Sequence, residues 1–232
     1  MSAAQIASDV QWAGTGGACK CYVDLNNKLY TAFWQSPSHE YPDDFSSVRM
    51  EPVTLSAEAE IAWSKSKLLD FGSSAFVRIL DEDSEFPILK IARPDEESRE
   101  MIKREHDILK RLFQAGFSSM PRFDPTPLED AEGIFGFRME RLFNLDYLNA
   151  YSEDARKAVK ELHSIGYSHS DLHSSNIMVD EQGKLVMIDF AFAGVLGEPL
   201  PAAPYFRILP LKGGVFNKSL DEEGLDNIFG KQ

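Results

Sequence analysis

Leu162-His163-Ser164-Ile165-Gly166-Tyr167-Ser168-His169-Ser170-Asp171-Leu172-His173-Ser174-Ser175-Asn176-Ile177, followed by Ile188-Asp189-Phe190, is the most informative run in this sequence. Its polar residues fall on loops beside an apolar hairpin. Asn176-Ile177-Met178-Val179-Asp180 and Lys184-Leu185-Val186-Met187-Ile188-Asp189 flank Glu181-Gln182-Gly183, a hairpin signal with a glycine in the turn. Folding back along that hairpin brings Asp189 beside Asn176. The pair then offers two oxygen ligands to a hard divalent cation such as Mg2+, with the carboxylate of Asp171 next to them. A metal among polyphosphate oxygens, plus a carboxylate that orients a hydroxyl, is what phosphoryl transfer requires.

The residues upstream supply a counterpart. Lys67-Leu68-Leu69-Asp70-Phe71, Ala75-Phe76-Val77-Arg78-Ile79-Leu80 and Phe86-Pro87-Ile88-Leu89-Lys90-Ile91-Ala92 read as three antiparallel strands. Gly72-Ser73-Ser74 is the tight turn between the first two, and Gly72 lets backbone approach a phosphate closely. A helix follows. Pro94 opens it, and Asp95, Glu96 and Glu97 suit its positive N-terminal end. Met101, Ile102, Glu105, Ile108, Leu109 and Leu112 recur at helical spacing until Gly116. A strand lysine held by a helix glutamate, Lys90 with Glu105, grips phosphate oxygens without straying into solvent. Phe135-Gly136-Phe137-Arg138-Met139-Glu140 reads as a further strand, and Glu153 to His163 as a helix.

In this order the motifs resemble those of the protein kinase-like superfamily, from about Leu68 to Phe190. His169-x-Asp171-x4-Asn176 looks like the catalytic loop and Asp189-Phe190 like the metal-binding element. Met139-Glu140-Arg141-Leu142 resembles the hinge, with Met139 as gatekeeper and the backbone of Glu140 and Leu142 facing adenine. The resemblance implies Asp171 as base with His169 bracing its loop. It implies Asn176 and Asp189 as Mg2+ ligands, and Lys90 paired with Glu105 as the ATP phosphate contact, beneath the Gly72-Ser73 turn. The implied fold is α+β and two-lobed: an antiparallel-sheet N-lobe with one main helix, and a short, mostly helical C-lobe. Residues 1–60 are then an N-terminal extension, 61–142 the N-lobe and hinge, and 143–232 the shortened C-lobe with a Pro-rich tail. The His-x-Asp-Leu-His-x-x-Asn form, His173 included, is closer to small atypical and aminoglycoside-type kinases than to ordinary protein kinases.

The sequence also departs from that pattern. The phosphate turn has a single glycine, and Ala191 stands where the metal-binding element ends in glycine. Forty-two residues follow Phe190, without an Ala-Pro-Glu element, so the peptide-docking half of the C-lobe is expected to be missing or replaced. Three functions follow. The first is an ATP-dependent phosphotransferase acting on a small molecule or a protein hydroxyl. The second is a pseudokinase binding module. The third is another chemistry on the same scaffold. The chain as a whole is similar to fungal kinase-like proteins that include arginine-containing cyclodipeptide synthases, which join aminoacyl groups carried by tRNA. The acidic motif of that family, Asp-Asp-x-x-Glu, is matched loosely by Asp81-Glu82-Asp83-Ser84-Glu85. That reading needs aminoacyl-tRNA and no ATP.

Composition bounds these choices. With 37 Asp and Glu against 24 Lys and Arg, the net charge of −13 opposes broad charge-driven binding to DNA or other nucleic acid. The basic residues from Arg99 to Arg111 read as a solvated helix face. No stretch approaches a membrane span and no signal-type run opens the chain, so a soluble, cytoplasmic protein with no membrane partner is expected. Cys19 and Cys21 are too close for a good mutual disulfide and too few for a thiolate-rich metal site. His169 and His173 suit a zinc pair only on a helix, and they fall on a loop. Tyr22 to Leu25 and Lys28 to Phe33, flanking Asn26-Asn27, read as a hairpin. Gly14 to Gly17 reads as a mobile end. The tail from Gly194, with four prolines, promises little regular structure.

Overall fold

A computed structural model describes residues 4–14, 16–80, 84–208 and 212–231. They form an α+β protein of two compact units. One is sheet-rich and runs to Ile102, with Thr126–Met139 added; the other is helix-rich and comprises Lys103–Pro125 with the chain from Glu140 onward.

The sheet-rich unit begins with strands β1 (Gln5–Ile6), β2 (Gln11–Trp12), β3 (Ala18–Asp24), β4 (Leu29–Gln35) and β5 (Arg49–Pro52) in one antiparallel sheet. The β3–β4 hairpin follows from its turn chemistry. Asn26 and Asn27 both take positive φ, 54° and 56°, as a type I′ turn demands, and Leu25 and Lys28 exchange backbone hydrogen bonds across it. Gly14, Gly16 and Gly17 are not part of a loose end: they sit between β2 and β3, and Ala13 N–H donates to the Ala18 carbonyl at 2.8 Å. Alternation along β3 turns Cys19, Cys21 and Val23 inward. Both thiols are free, and burial pushes that of Cys21 up to about 12.

Helix α1 (Ala57–Ser64) comes next. Its apolar residues form no stripe, so hydrophobic periodicity does not reveal it. Ser56 caps it by accepting from Ala59 N–H. The second sheet has β6 (Ser66–Phe71), β7 (Ala75–Leu80), β8 (Ile88–Ala92), β9 (Leu128–Asp130) and β10 (Gly133–Met139), in the order β6-β7-β8-β10-β9. The three-strand meander expected from sequence is β6-β7-β8. Residues 81–83, hence most of the acidic motif, lie outside the described residues. Ala7, just after β1, and Leu29 of β4 pack with Trp63, Leu68 and Phe76 into one core. A buried ion pair crosses the same layer, Arg78 Nη1 to Asp24 Oδ2 at 2.6 Å.

Helix α2 (Glu96–Gln114) passes from one unit's residues to the other's at Ile102. Asp95 caps it, accepting from Ser98 N–H and from the Ser98 hydroxyl, each at 2.8 Å. Gly116, at φ 81°, ends it. Its basic residues do not all form a solvated face. Lys103, Lys110 and Arg111 are exposed, whereas Arg99 turns in to Asp130 at 2.5 Å. Burial by itself would raise the Asp130 pKa. Hydrogen bonds from Arg99, Ser56 and the Glu132 N–H outweigh it, and the carboxyl is held at about 2. The folded value lies below the unfolded one, so this stabilisation is fully present above about pH 4 and is lost as pH falls through about 2. Acid-unfolding curves check this. Asp130→Asn is expected to be less stable than the parent near neutrality, with the gap closing toward the acid end.

The helix-rich unit adds α3 (Ser152–Ser164), β11 (Tyr167–Ser168), β12 (Ile177–Val179), β13 (Leu185–Met187), β14 (Gly194–Val195) and α4 (Ser219–Phe229). Strands β12 and β13 pair antiparallel, Ile177 against Met187, as the hairpin signal predicts. The tail is more regular than expected, because α4 forms beyond the last proline. No helix among the described residues is long and apolar enough to cross a membrane.

Candidate active site

The helix-rich unit gathers four of the candidate residues. Three hydrogen bonds do most of this. His169 is fully buried, and its Nε2 donates to the Ile188 carbonyl at 2.8 Å. That fixes the tautomer and leaves Nδ1 facing the Asp171 N–H at 3.4 Å. Asn176 Nδ2 donates to the Asp171 carbonyl at 2.8 Å, and Ile188 N–H donates to the Asn176 carbonyl at 3.0 Å. The loop carrying Asp171 is thereby tied to Asn176, and Asn176 to the residue before Asp189. The Asp171 side chain stays partly exposed, 37%, with His173 Nε2 3.9 Å from its Oδ2.

Asp189 holds a left-handed backbone, φ 69° and ψ 54°, at the start of the 3-10 turn Phe190–Phe192. A non-glycine residue there costs about 1–3 kcal/mol and persists only where its surroundings fix it. Phe190 is fully buried, 4.8 Å from the His169 ring and 6.3 Å from that of Phe117.

Asp221 was invisible to the sequence reading. It lies on α4, is fully buried, and accepts three hydrogen bonds. His169 N–H and His163 Nε2 reach Oδ2 at 2.9 and 2.8 Å, and Ser170 N–H reaches Oδ1 at 2.7 Å. Gly224, one turn on, lies so near the Leu172 carbonyl that a Cβ would collide with it. Helix α4 therefore clamps the loop on both sides of Asp171. An aspartate 50 residues after that loop, at the head of an Asp-Glu-Glu run, carries no pattern that marks it.

The remaining candidates lie elsewhere in the chain. Lys90 is buried on β8, between Val77 of β7 and Phe137 of β10. Gly136 on β10 passes so close to Lys90 that a Cβ would sit 2.8 Å from the Lys90 carbonyl. Gly72 and Ser73 form the β6–β7 turn. Arg93 Nη2 holds the Gly72 carbonyl at 2.5 Å, and no atom lies within 4 Å of where a Gly72 Cβ would be. Met139 ends β10. These belong to the sheet-rich unit. Glu105 is buried on the part of α2 that belongs to the helix-rich unit, as do Glu140 and Leu142. Glu140 N–H donates to the Arg122 carbonyl, while its carboxylate takes Arg122 N–H at 2.7 Å and Nε at 2.9 Å.

The donor set suits Mg2+ better than a transition metal. Asn176 commits its nitrogen to Asp171, which leaves Oδ1, and Asp189 adds a carboxylate; Mg2+ takes one or two such protein oxygens and completes its shell with water and phosphate. Among the described residues no group of three or more His, Cys, Asp or Glu converges.

No known family model matches the chain. Over 139 residues it is 27% identical to the serine/threonine-protein kinase AtPK1/AtPK6 of Arabidopsis thaliana, a match covering 53% of this chain and 30% of that kinase. Over 150 residues it is 24% identical to mitogen-activated protein kinase kinase kinase 1 of the same plant, covering 58% of this chain and 24% of the kinase. The chain thus spans less than a third of the length of either relative. The likeness is distant, and it points to the kinase-like superfamily and no further.

Proposed function

We propose, with that distant kinase likeness as premise, that the chain is a small ATP-dependent phosphotransferase acting on a hydroxyl of a small molecule or protein. The observation that carries this reading is the hydrogen-bonded chain from His169 through Ile188 and Asn176 to Asp171. It ties the loop bearing the partly exposed Asp171 carboxylate to Asn176, and Asn176 to the residue before Asp189. Asn176 and Asp189 hold Mg2+, which supplies charge neutralisation on the phosphates. Asp171 orients the acceptor hydroxyl and takes its proton as the new O–P bond forms and the bond to the departing ADP oxygen breaks. His169 keeps the Asp171 loop in place. The kinase resemblance gives Lys90 and Glu105 the α- and β-phosphate role, and the Gly72-Ser73 turn the phosphate-covering one. The carbonyl of Glu140 and the N–H of Leu142 take the adenine edge, with Met139 beside it.

The inward-turned Arg99 and Arg104 weigh against α2 as a landing strip for tRNA, since both guanidiniums are already engaged. Titration calorimetry tests the proposal. The parent protein is expected to bind Mg-ATP with a constant between about 1 μM and 1 mM, where KM values usually fall. Asp189→Asn is expected to weaken it tenfold or more. Absence of nucleotide binding to the parent overturns the proposal. A phosphorylated metabolite or protein in a host expressing the chain supports it; a new cyclic dipeptide assigns the scaffold to aminoacyl-tRNA chemistry instead.

A further inference from the structure

Arg104 stands one residue before Glu105 on α2, and the sequence offers it only as one more surface cation. In the structure it does three things at once. Its Nε donates to the Ala191 carbonyl at 2.9 Å and its Nη2 to the Ala193 carbonyl at 2.5 Å. Its guanidinium lies 4.8 Å over the Phe206 ring and 5.8 Å from that of Phe216. The two carbonyls are two residues apart and belong to the turn that Asp189 opens. A planar fork with donors on separate nitrogens spans such a pair; a lysine ammonium, a single point charge, does not.

Around this fork the segment after Asp189 is packed on every side that the described residues supply. Phe192 sits edge-on to Tyr205 and Phe206, and Phe206 to Phe216. Gly194 approaches Phe216 so closely that a Cβ would enter the ring. Ala193 N–H closes the turn on the Phe190 carbonyl at 3.0 Å. This is the segment whose first residue keeps a left-handed backbone without being glycine. Arg104 donates side-chain hydrogen bonds to two carbonyls of this segment, Ala191 and Ala193.

We propose that Arg104 is a positioning residue for Asp189: by bridging the carbonyls of Ala191 and Ala193 over the Phe206–Phe216 stack, it fixes the turn that aims the Asp189 carboxylate. The alanine at position 191 fits the same logic. A turn locked in one shape has no use for the freedom of glycine. The consequence for the metal rests on the phosphotransferase reading; the lock itself does not.

The test therefore has two readouts on the full chain, for Arg104→Ala, Arg104→Lys and Phe206→Leu. Amide exchange followed by mass spectrometry reads the lock. All three variants are expected to exchange at least tenfold faster over 190–196, with the β12–β13 hairpin and α4 unchanged. Unchanged protection of 190–196 in Arg104→Ala overturns the proposal. So does a uniform rise across the unit, which would make Arg104 an ordinary packing residue. Full retention by Arg104→Lys overturns the requirement for the fork. Calorimetry reads the consequence: the tightening of ATP binding by Mg2+ is expected to fall about tenfold in Arg104→Ala, while adenosine, which lacks phosphates, binds as before. A parent protein that binds no nucleotide defeats the phosphotransferase reading and leaves the exchange result to decide the lock.

Discussion

Asp24→Ala is expected to destabilise the protein by about 3–5 kcal/mol, the cost of leaving a buried charge without its partner. Arg78 is 0% exposed and Asp24 6%. The guanidinium makes four hydrogen bonds to its surroundings. Nη1 meets Asp24 Oδ2 at 2.6 Å, Nε meets Ser66 Oγ at 2.9 Å, and Nη2 donates to the carbonyls of Trp63 and Ser66 at 3.1 and 2.7 Å. It also lies 3.7 Å over the Trp63 ring. Burial pulls the Arg78 pKa down, and the hydrogen bond and charge of Asp24 push it back up. An arginine stays protonated in either case, so the alanine variant buries a net positive charge. For a chain of this size the loss corresponds to a drop in thermal midpoint of roughly 6–20 °C. Asp24→Asn keeps an acceptor and is expected to lose less. Replacing both partners by apolar residues of similar volume is expected to recover much of the loss. Denaturant unfolding of the three variants checks the order. A cost below about 1 kcal/mol for Asp24→Ala would show the pair to be incidental.

Asp221→Ala is expected to be comparably damaging, about 3–5 kcal/mol, because it strands two buried backbone N–H groups and an imidazole at once. Its effect is also local in a way the first is not. His169 N–H and Ser170 N–H both lose their acceptor, and Ser170 holds a left-handed backbone, φ 65°. The loop bearing Asp171 then loses its anchor on α4 and keeps its ties to Ile188 and Asn176. Asp221→Asn should rescue poorly. One amide oxygen cannot accept from three donors, and the amide nitrogen would face an N–H. Thermal unfolding gives the stability loss, and amide exchange over 168–176 gives the local loosening. Rescue by asparagine to within a few tenths of a kcal/mol would sink the three-acceptor account.

Several elements that carry the candidate residues were legible in the sequence because they depend on short-range rules. The Asn26-Asn27 turn, the Gly183 hairpin and the β6-β7-β8 meander rest on turn chemistry and period-2 alternation. The Asp171, Asn176 and Asp189 spacing rests on one hairpin folding back on itself. What stayed hidden depends on distant partners. Helix α4 buries an aspartate, a glycine and a leucine along one face, and a charge with a glycine does not read as core. Arg99 and Arg104 look like solvated cations until Asp130 and the carbonyls of Ala191 and Ala193 are placed against them. Helix α1 buries only Ala59 and Trp63, so it leaves no periodic trace.

The way the chain threads its two units has a cost during synthesis. Strand β8, five buried residues in a row, has β10 as its second neighbour, and β10 arrives only after the chain has left for the other unit and returned. At roughly 5–20 residues per second a ribosome takes about 2–8 s to make the intervening segment. Throughout that interval an apolar strand presents an open edge, the kind that invites pairing with a neighbouring nascent chain. Elongation speed and chaperone cover over that window should therefore govern how much of the protein is recovered folded.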